Sequence, residues 1–121
     1  MAFLADCRAR LAFDLLGNTW HPVLLHALRH GPRRPADLRR AIGGIRPKVL
    51  TEALRRLEAA GLVDRRVGRD RVEYALTGLG RSLLDPIDAL GRWAHERGDE
   101  VRLDDPDDEV LPGGPGISPR S

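Results

Sequence analysis

Apolar residues recur along the chain with two different periods, and the change of period separates helices from a hairpin. Through residue 60 the apolar positions return every three or four residues, as on one face of an α-helix. Gly and Pro pairs interrupt this pattern and predict separate helices. We therefore expect four helices in succession, at residues 5–16, about 20–30, about 33–42 and about 47–60.

After Gly61 the period falls to two. The runs "LVDRRV" and "RVEYAL" alternate apolar and polar residues, which is typical of half-buried strands. Gly68, Arg69 and Asp70 lie between the runs and predict a tight turn. Residues 63–76 are therefore expected to form a β-hairpin.

Capping residues and prolines refine the helix boundaries. Thr19 is the expected N-cap of the second helix and Thr77 that of a last helix reaching residue 98. Pro35 suits the first turn of the third helix. Pro86 is expected to kink or interrupt the last helix, because proline lacks the backbone N–H that helices use.

The order of the elements predicts a mainly α fold with a small β-hairpin. Two helices joined by a short Gly-containing turn and followed by a hairpin make a winged helix-turn-helix. Residues 1–98 are expected to form this domain. Residues 99–121 are acidic and rich in Gly, Pro and Ser, so a disordered tail is expected there.

Charge is unevenly divided between these two parts. Residues 1–98 carry 18 basic and 11 acidic side chains, a net charge of +7, whereas residues 99–121 carry 2 basic and 7 acidic side chains, a net charge of −5. A basic domain favours a polyanionic partner such as double-stranded DNA.

The fourth predicted helix has two distinct faces. Leu50, Ala53, Leu54 and Leu57 follow the spacing of a buried face. The opposite face carries long hydrogen-bonding side chains, which a helix in the DNA major groove needs. The hairpin adds arginines suited to the backbone or the minor groove. The predicted DNA-binding residues are Arg46, Lys48, Thr51, Glu52, Arg55, Arg65, Arg66, Arg69 and Arg71.

Arg46 stands where the fourth helix should have a capping residue. Ser, Thr, Asp or Asn at this position is typically worth about 1 kcal/mol. A cation beside a helix N-terminus also faces the positive end of the helix dipole. One interpretation is that a DNA phosphate binds Arg46 together with the N–H groups of the helix. The other is that Arg46 is a neutral surface residue.

Three segments make the chain resemble the HxlR family of bacterial winged-helix transcription regulators. They are "LLGNTWHPVLLHAL", "GPRRPADLRRAIGGIRPKVLTEALRRLEAAGLVDR" and "RVEYALTGLGRSLLDPIDALGRW". The chain departs from the family pattern in having Arg46 where Ser is usual, in its short wing, and in Arg8 after the cysteine where Pro is common.

The resemblance implies a homodimer that binds a palindromic operator near a promoter. It places the dimer contacts mainly on the first and last helices, and it makes the N-terminal cysteine a candidate sensor of oxidants or electrophiles. Cys7 matches that position, although it also suits a small packed side chain. A small-molecule effector is a further alternative. The expected dimer residues are Leu11, Leu15, Leu84, Ile87, Leu90 and Trp93.

The sequence gives little indication of other chemistry. No phosphate loop, nucleophile elbow or HExxH motif is present, so an enzyme is not expected. His26 and His30 have metal-ligand spacing but no acidic or Cys neighbour, so neither metal nor cofactor is expected. A single cysteine and no long apolar run predict a cytoplasmic protein without membrane spans.

An alternative function remains open at this point. The domain could be a winged-helix module for protein interactions, with an acidic tail that mimics DNA or covers the basic face. Steep salt dependence of duplex binding would distinguish the regulator from such a module.

Overall fold

The computed structural model describes residues 8–102, so Cys7 and most of the predicted acidic tail lie outside the described residues. Within that range the chain forms six α-helices, one antiparallel hairpin and a final 3₁₀ turn. The mainly α winged helix-turn-helix predicted from the sequence is confirmed. The elements are α1 (Arg8–Leu16), α2 (Trp20–Ala27), α3 (Pro35–Ile42), α4 (Pro47–Ala59), β1 (Val63–Val67), β2 (Val72–Leu76), α5 (Gly78–Arg81), α6 (Leu84–Arg97) and the 3₁₀ turn (Gly98–Glu100).

Of the described residues, those from Arg8 to Ile87 form one compact unit, and those from Asp88 to Arg102 belong to a second. The first unit has a leucine-rich core built from α2, α3, α4 and the hairpin. Leucine side chains fill this interior because aromatic residues make up only 4% of the chain. The largest fully buried side chains are Leu24, Leu25, Leu28, Leu38, Leu50, Leu54, Leu57 and Val63.

The start of α2 differs from the prediction. Thr19 has helical backbone angles and makes no capping hydrogen bond with its side chain. Instead, Asn18 Oδ1 accepts a hydrogen bond of 2.9 Å from the backbone N–H of Trp20. Asn and Thr are both good caps, and they are adjacent here. Asn18 takes the capping role because its side-chain oxygen reaches a free N–H of the helix.

A buried histidine connects α1 to α2. His21 is 7% exposed, and its Nδ1 lies 2.8 Å from the backbone oxygen of Leu15. A carbonyl oxygen only accepts hydrogen bonds, so Nδ1 is the nitrogen that donates. His21 Nε2 has no hydrogen-bond partner among the described residues. This histidine therefore orients the end of α1 and lies away from solvent, whereas His26 and His30 are exposed.

The predicted interruption of the last helix is confirmed, and it falls before Pro86. Helix α5 ends at Arg81 and α6 begins at Leu84. A proline at position 86 has no N–H to donate to the carbonyl of Ser82, and its ring crowds that carbonyl. The helix consequently breaks at Ser82 and Leu83 and resumes with Pro86 in the first turn of α6.

A short motif closes the base of the hairpin. The Thr77 hydroxyl donates to the Gly61 carbonyl at 2.6 Å and accepts from the Gly80 N–H at 3.0 Å. This confirms Thr77 as a helix cap. A Cβ added to Gly80 would lie 2.0 Å from the Leu62 carbonyl oxygen. Only glycine therefore allows α5 to approach the turn between α4 and β1 so closely.

The loop before α3 pairs with the hairpin. The backbone N–H of Arg33 donates to the Tyr74 carbonyl at 2.9 Å, and the Tyr74 N–H donates back at 2.8 Å. This isolated bridge joins Arg33 to Tyr74 of β2, the strand that also pairs with β1. The start of α3 is thereby fixed beside the wing.

Candidate nucleic-acid interface

Helix α4 has one buried and one exposed face, as the sequence predicts. The buried face packs into the hydrophobic core, and its residues are at most 2% exposed: Leu50, Ala53, Leu54 and Leu57. Lys48, Thr51, Glu52 and Arg55 are all exposed on the opposite side. Pro47 at the first position and Gly61 just after the last turn define the ends of the helix.

The exposed face of α4 has charges without protein partners. Among the described residues, Lys48, Glu52 and Arg55 form no ion pair, although Glu52 has Arg55 and Arg56 close to it in sequence. Glu52 thus forms no ion pair with either arginine within the described chain. Its carboxylate is left able to accept a hydrogen bond from a bound molecule.

The N-terminus of α4 is more electropositive than that of its neighbour α3. Both helices begin after an arginine in an extended conformation that makes no side-chain cap, Arg34 in α3 and Arg46 in α4. The first turn of α3 contains Asp37, whereas the first turn of α4 contains no acidic residue. The positive end of the α4 dipole is therefore not balanced by any carboxylate of its own first turn.

The hairpin presents a basic edge strand. In its register Arg65 is opposite the buried Tyr74 and Arg66 is opposite Glu73, while β1 beyond Val63 is exposed. Arg65, Arg66 and Arg69 make no ion pair among the described residues. Arg71 differs from them because its Nη1 lies 3.3 Å from Glu73 Oε2.

The structure reveals an ionic cluster on α3 that sequence reasoning missed. Asp37 Oδ2 lies 3.5 Å from Arg34 Nε, and Asp37 Oδ1 contacts Arg40 Nη2. The spacing of three residues on each side was visible in the sequence and is typical of helical ion pairs. Arg39 on the same helix forms no ion pair among the described residues.

An open depression of about 410 Å³ lies beside this cluster. Arg33, Asp37, Arg40 and Ala41 line it. Helix α3 packs on both α4 and β2, and Arg33, which lines the depression, pairs with Tyr74 of β2. The structure thus brings a third basic segment next to the two that the sequence identifies.

The residues predicted for a dimer interface divide into two groups. Leu11 in α1 and Leu90 and Trp93 in α6 are more than half exposed. Leu15 and Leu84 pack partly against the core of their own chain, and Ile87 is buried in it. Ile87 is therefore not available to a partner in the way the sequence suggested.

Comparison with known proteins gives a consistent result. The family model described as HxlR-like helix-turn-helix matches residues 15–102. The HTH-type transcriptional regulator YkvN from Bacillus subtilis (strain 168) is 37% identical over 91 residues, covering 73% of this chain and 77% of the relative.

Solved structures agree with the sequence match. The redox regulator HypR in its reduced form superposes with a TM-score of 0.72 at 31% identity, covering 78% of this chain and 96% of HypR. The reduced form of the transcriptional regulator YodB from B. subtilis superposes with a TM-score of 0.69 at 31% identity, covering 79% of this chain and 98% of YodB.

No helix within residues 8–102 is long and apolar enough to cross a membrane.

The family and these relatives are transcriptional regulators and not enzymes. The exposed polar face of α4, the basic hairpin and the matches together identify the chain as a transcriptional regulator that belongs to the HxlR-like helix-turn-helix family.

Proposed function

We propose that the protein is a cytoplasmic homodimer that binds a palindromic operator near a promoter. In this proposal α4 enters the major groove and the hairpin contacts the backbone or the minor groove. The observation that carries it is the exposed face of α4. Its charged side chains have no protein partner among the described residues, while the opposite face holds the helix on the core.

The side chains of α4 have different roles in this complex. Lys48 lies near the N-terminus of the helix, the end that approaches the bases in helix-turn-helix proteins. Lys48 and Arg55 suit guanine edges or phosphates, and Thr51 suits either. Glu52 accepts from a cytosine amino group in this complex, because its carboxylate has no donor within residues 8–102.

The hairpin supplies contacts that do not depend on sequence. Arg65, Arg66 and Arg69 are exposed cations on or next to an edge strand. Phosphate contacts of this kind position a protein on the duplex, and base contacts specify the site. The short turn between β1 and β2 limits how deeply the wing reaches into a groove.

A second copy of the chain covers apolar surface that this chain leaves exposed. Leu11 and Phe13 are 65% and 60% exposed on α1, and Leu90 and Trp93 are 58% and 52% exposed on α6. Exposed aromatic side chains such as Phe13 and Trp93 are enriched at protein interfaces. A two-fold dimer also accounts for a palindromic operator, because it presents two identical reading helices.

Binding to genomic DNA tests the proposal. Fragments retained by the purified protein are sequenced, and a duplex with the enriched sequence is used for affinity measurements. Affinity should fall by about 10³-fold or more between about 50 and 200 mM salt, as expected for several phosphate contacts. Lys48→Ala should weaken binding, whereas Arg92→Ala on α6 removes the same charge and should not. Absence of duplex binding, or binding insensitive to salt, would contradict the proposal.

We also propose that the regulator responds to oxidants or electrophiles through Cys7. What supports this is the similarity to HypR, which is named a redox regulator, and to YodB, for which a quinone-bound structure exists. Arg8 and Arg10 would favour the thiolate form of a neighbouring cysteine. Diamide should change operator affinity of the native protein and not of Cys7→Ser. An identical response in both proteins would point to a small-molecule effector instead.

The acidic segment suggests a second candidate function. Residues 99–121 carry a net charge of −5, opposite to that of the domain. A protein-interaction module whose tail mimics DNA would bind duplexes weakly in the intact chain. Deleting residues 104–121 should then raise duplex affinity. An unchanged affinity would leave the operator-binding function and discard the role of the tail.

A further inference from the structure

The arginines near the proposed DNA-binding surface differ in how they are held. Arg46, Arg55, Arg65, Arg66 and Arg69 form no ion pair within residues 8–102. Arg34 and Arg40 are both held by one carboxylate, that of Asp37. Two basic side chains of α3 are therefore already neutralised in part before any DNA is bound.

Asp37 is placed where it can compete with a phosphate. It lines the open depression next to Arg33 and Arg40. The Arg33 backbone pairs with β2 of the wing, and α3 packs on the reading helix α4. In helix-turn-helix proteins the helix before the reading helix crosses the DNA backbone, so a duplex seated on α4 would bring its backbone towards α3.

The exposure of the cluster to solvent determines how easily its ion pairs break. The side chains of Arg34 and Arg40 are 51% and 73% exposed, and that of Asp37 is 33% exposed. Exposed ion pairs of this kind are individually weak and are screened by salt. A phosphodiester can replace the carboxylate, but only part of the favourable interaction is then gained.

We propose that Asp37 is an intramolecular competitor of DNA phosphate that limits the sequence-independent part of DNA binding. The inference rests on the proposed operator-binding function and adds a residue that regulates its strength. In the free protein Asp37 holds Arg34 and Arg40. On DNA these arginines exchange the carboxylate for phosphate. Binding through them therefore gains less affinity and depends less on salt than binding through two unpaired arginines would.

The proposal can be distinguished from the opposite role for Asp37 by the direction in which DNA affinity changes when the carboxylate is removed. A carboxylate that only orients Arg34 and Arg40 for DNA would strengthen binding, so its loss would weaken binding. A competing carboxylate weakens binding, so its loss would strengthen binding. Asp37 also lies in the first turn of α3, where a negative charge stabilises the helix, and stability must therefore be measured separately.

The experiment compares Asp37→Asn with the native protein on an operator duplex and on a duplex of unrelated sequence. Asp37→Asn should bind both duplexes more tightly, by the same factor of roughly 3 to 30 at low salt, because two weak ion pairs no longer compete. The slope of log affinity against log salt should steepen by about 1 to 2. Asp37→Glu keeps the carboxylate and should behave like the native protein.

Asp85→Asn is the matched control. Asp85 also lies in the first turn of a helix, α6, and forms no ion pair among the described residues. The substitution removes the same charge and should change neither affinity nor salt slope by a comparable amount. An equal gain in Asp85→Asn would mean that net charge alone explains the effect, and this would overturn the proposal.

A double-mutant cycle tests the arginines themselves, and its first arm does not depend on the folding of Asp37→Asn. In the native background, replacing both Arg34 and Arg40 by Gln should lower affinity only about two-fold. In the Asp37→Asn background the same replacement should remove the whole gain. A large loss in the native background, or weaker binding by folded Asp37→Asn, would overturn the role of Asp37. Failure of the native protein to bind either duplex would overturn the operator-binding function as well.

Discussion

Arg46 occupies the N-cap of α4 without making a capping hydrogen bond. The helix begins there because Pro47 suits its first position, and not because the preceding residue stabilises the free N–H groups. Those N–H groups and the guanidinium together form a positive site facing solvent. A phosphate bound there would satisfy both, which connects the local departure from the capping rule to DNA binding.

Replacing Arg46 by Ser should separate stability from binding. Arg46→Ser should raise the free energy of unfolding by about 1 kcal/mol, because serine caps the helix. It should also lower operator affinity and reduce the salt slope by about 1. Thermal unfolding and fluorescence anisotropy measure the two effects. Arg34→Ser at the start of α3 is the control, and it should gain stability with little loss of affinity because Asp37 already holds Arg34.

Gly80 is required by a close approach and not by an unusual backbone angle. Gly80→Ala should lower the free energy of unfolding by at least about 2 kcal/mol, since the new methyl group meets the rigid Leu62 carbonyl. Gly91→Ala is the matched control because nothing lies within 4 Å of its added Cβ. It should instead stabilise helix α6 by roughly 0.5–1 kcal/mol. Chemical denaturation of both variants checks the contrast, and equal effects would disprove it.

At the scale of elements, the proposed complex assigns sequence specificity to α4 and sequence-independent affinity to the hairpin. Helix α4 carries hydrogen-bonding groups of several kinds, whereas the hairpin carries mainly arginine. The side chains of α4 can distinguish bases, whereas arginines that contact phosphates only position the protein on the duplex. The two elements should therefore respond differently to substitution.

Glu52→Gln and a triple replacement of Arg65, Arg66 and Arg69 by Gln test this division. The triple variant should weaken binding to every duplex and reduce the salt slope by about 2 to 3. Glu52→Gln should keep the slope and change the preferred base at one position, a difference of about 1–3 kcal/mol. Binding to a panel of single-base operator variants measures both. A triple variant with altered base preference would contradict the assignment.

The elements were predictable where a local pattern determines them. The buried face of α4, the hairpin and the Thr77 cap follow from spacing and residue type over a few positions. The Arg33–Tyr74 bridge was not predictable, since nothing local in the α2–α3 loop specifies a strand partner in the wing. The Asn18 cap shows a second limit, because two adjacent capping residues differ only in where the backbone places them.

At the scale of the whole molecule, the exposed apolar side chains of α1 and α6 predict self-association. Trp93 is 52% exposed, and aromatic side chains are enriched on surfaces that another protein covers. DNA binding by two reading helices would then depend on the integrity of α6. This dependence offers a route by which a change near the termini alters operator affinity.

Replacing both Leu90 and Trp93 by Ser should convert the protein from dimer to monomer. Sedimentation should show the loss of mass, and operator affinity should fall at least about ten-fold because one half-site remains. Leu79→Ser removes a similarly exposed leucine from α5 and should leave the dimer intact. A native protein that sediments as a monomer would contradict the proposed assembly.

The bridge between Arg33 and Tyr74 has a consequence for the order of folding. It joins segments separated by the whole of α3, α4 and β1, so closing this loop carries a large entropic cost before the bridge forms. The wing therefore acquires its final place only after the helices have assembled. In hydrogen exchange, the Tyr74 amide should open only with global unfolding, whereas the amide of Gly68 at the hairpin tip should open locally.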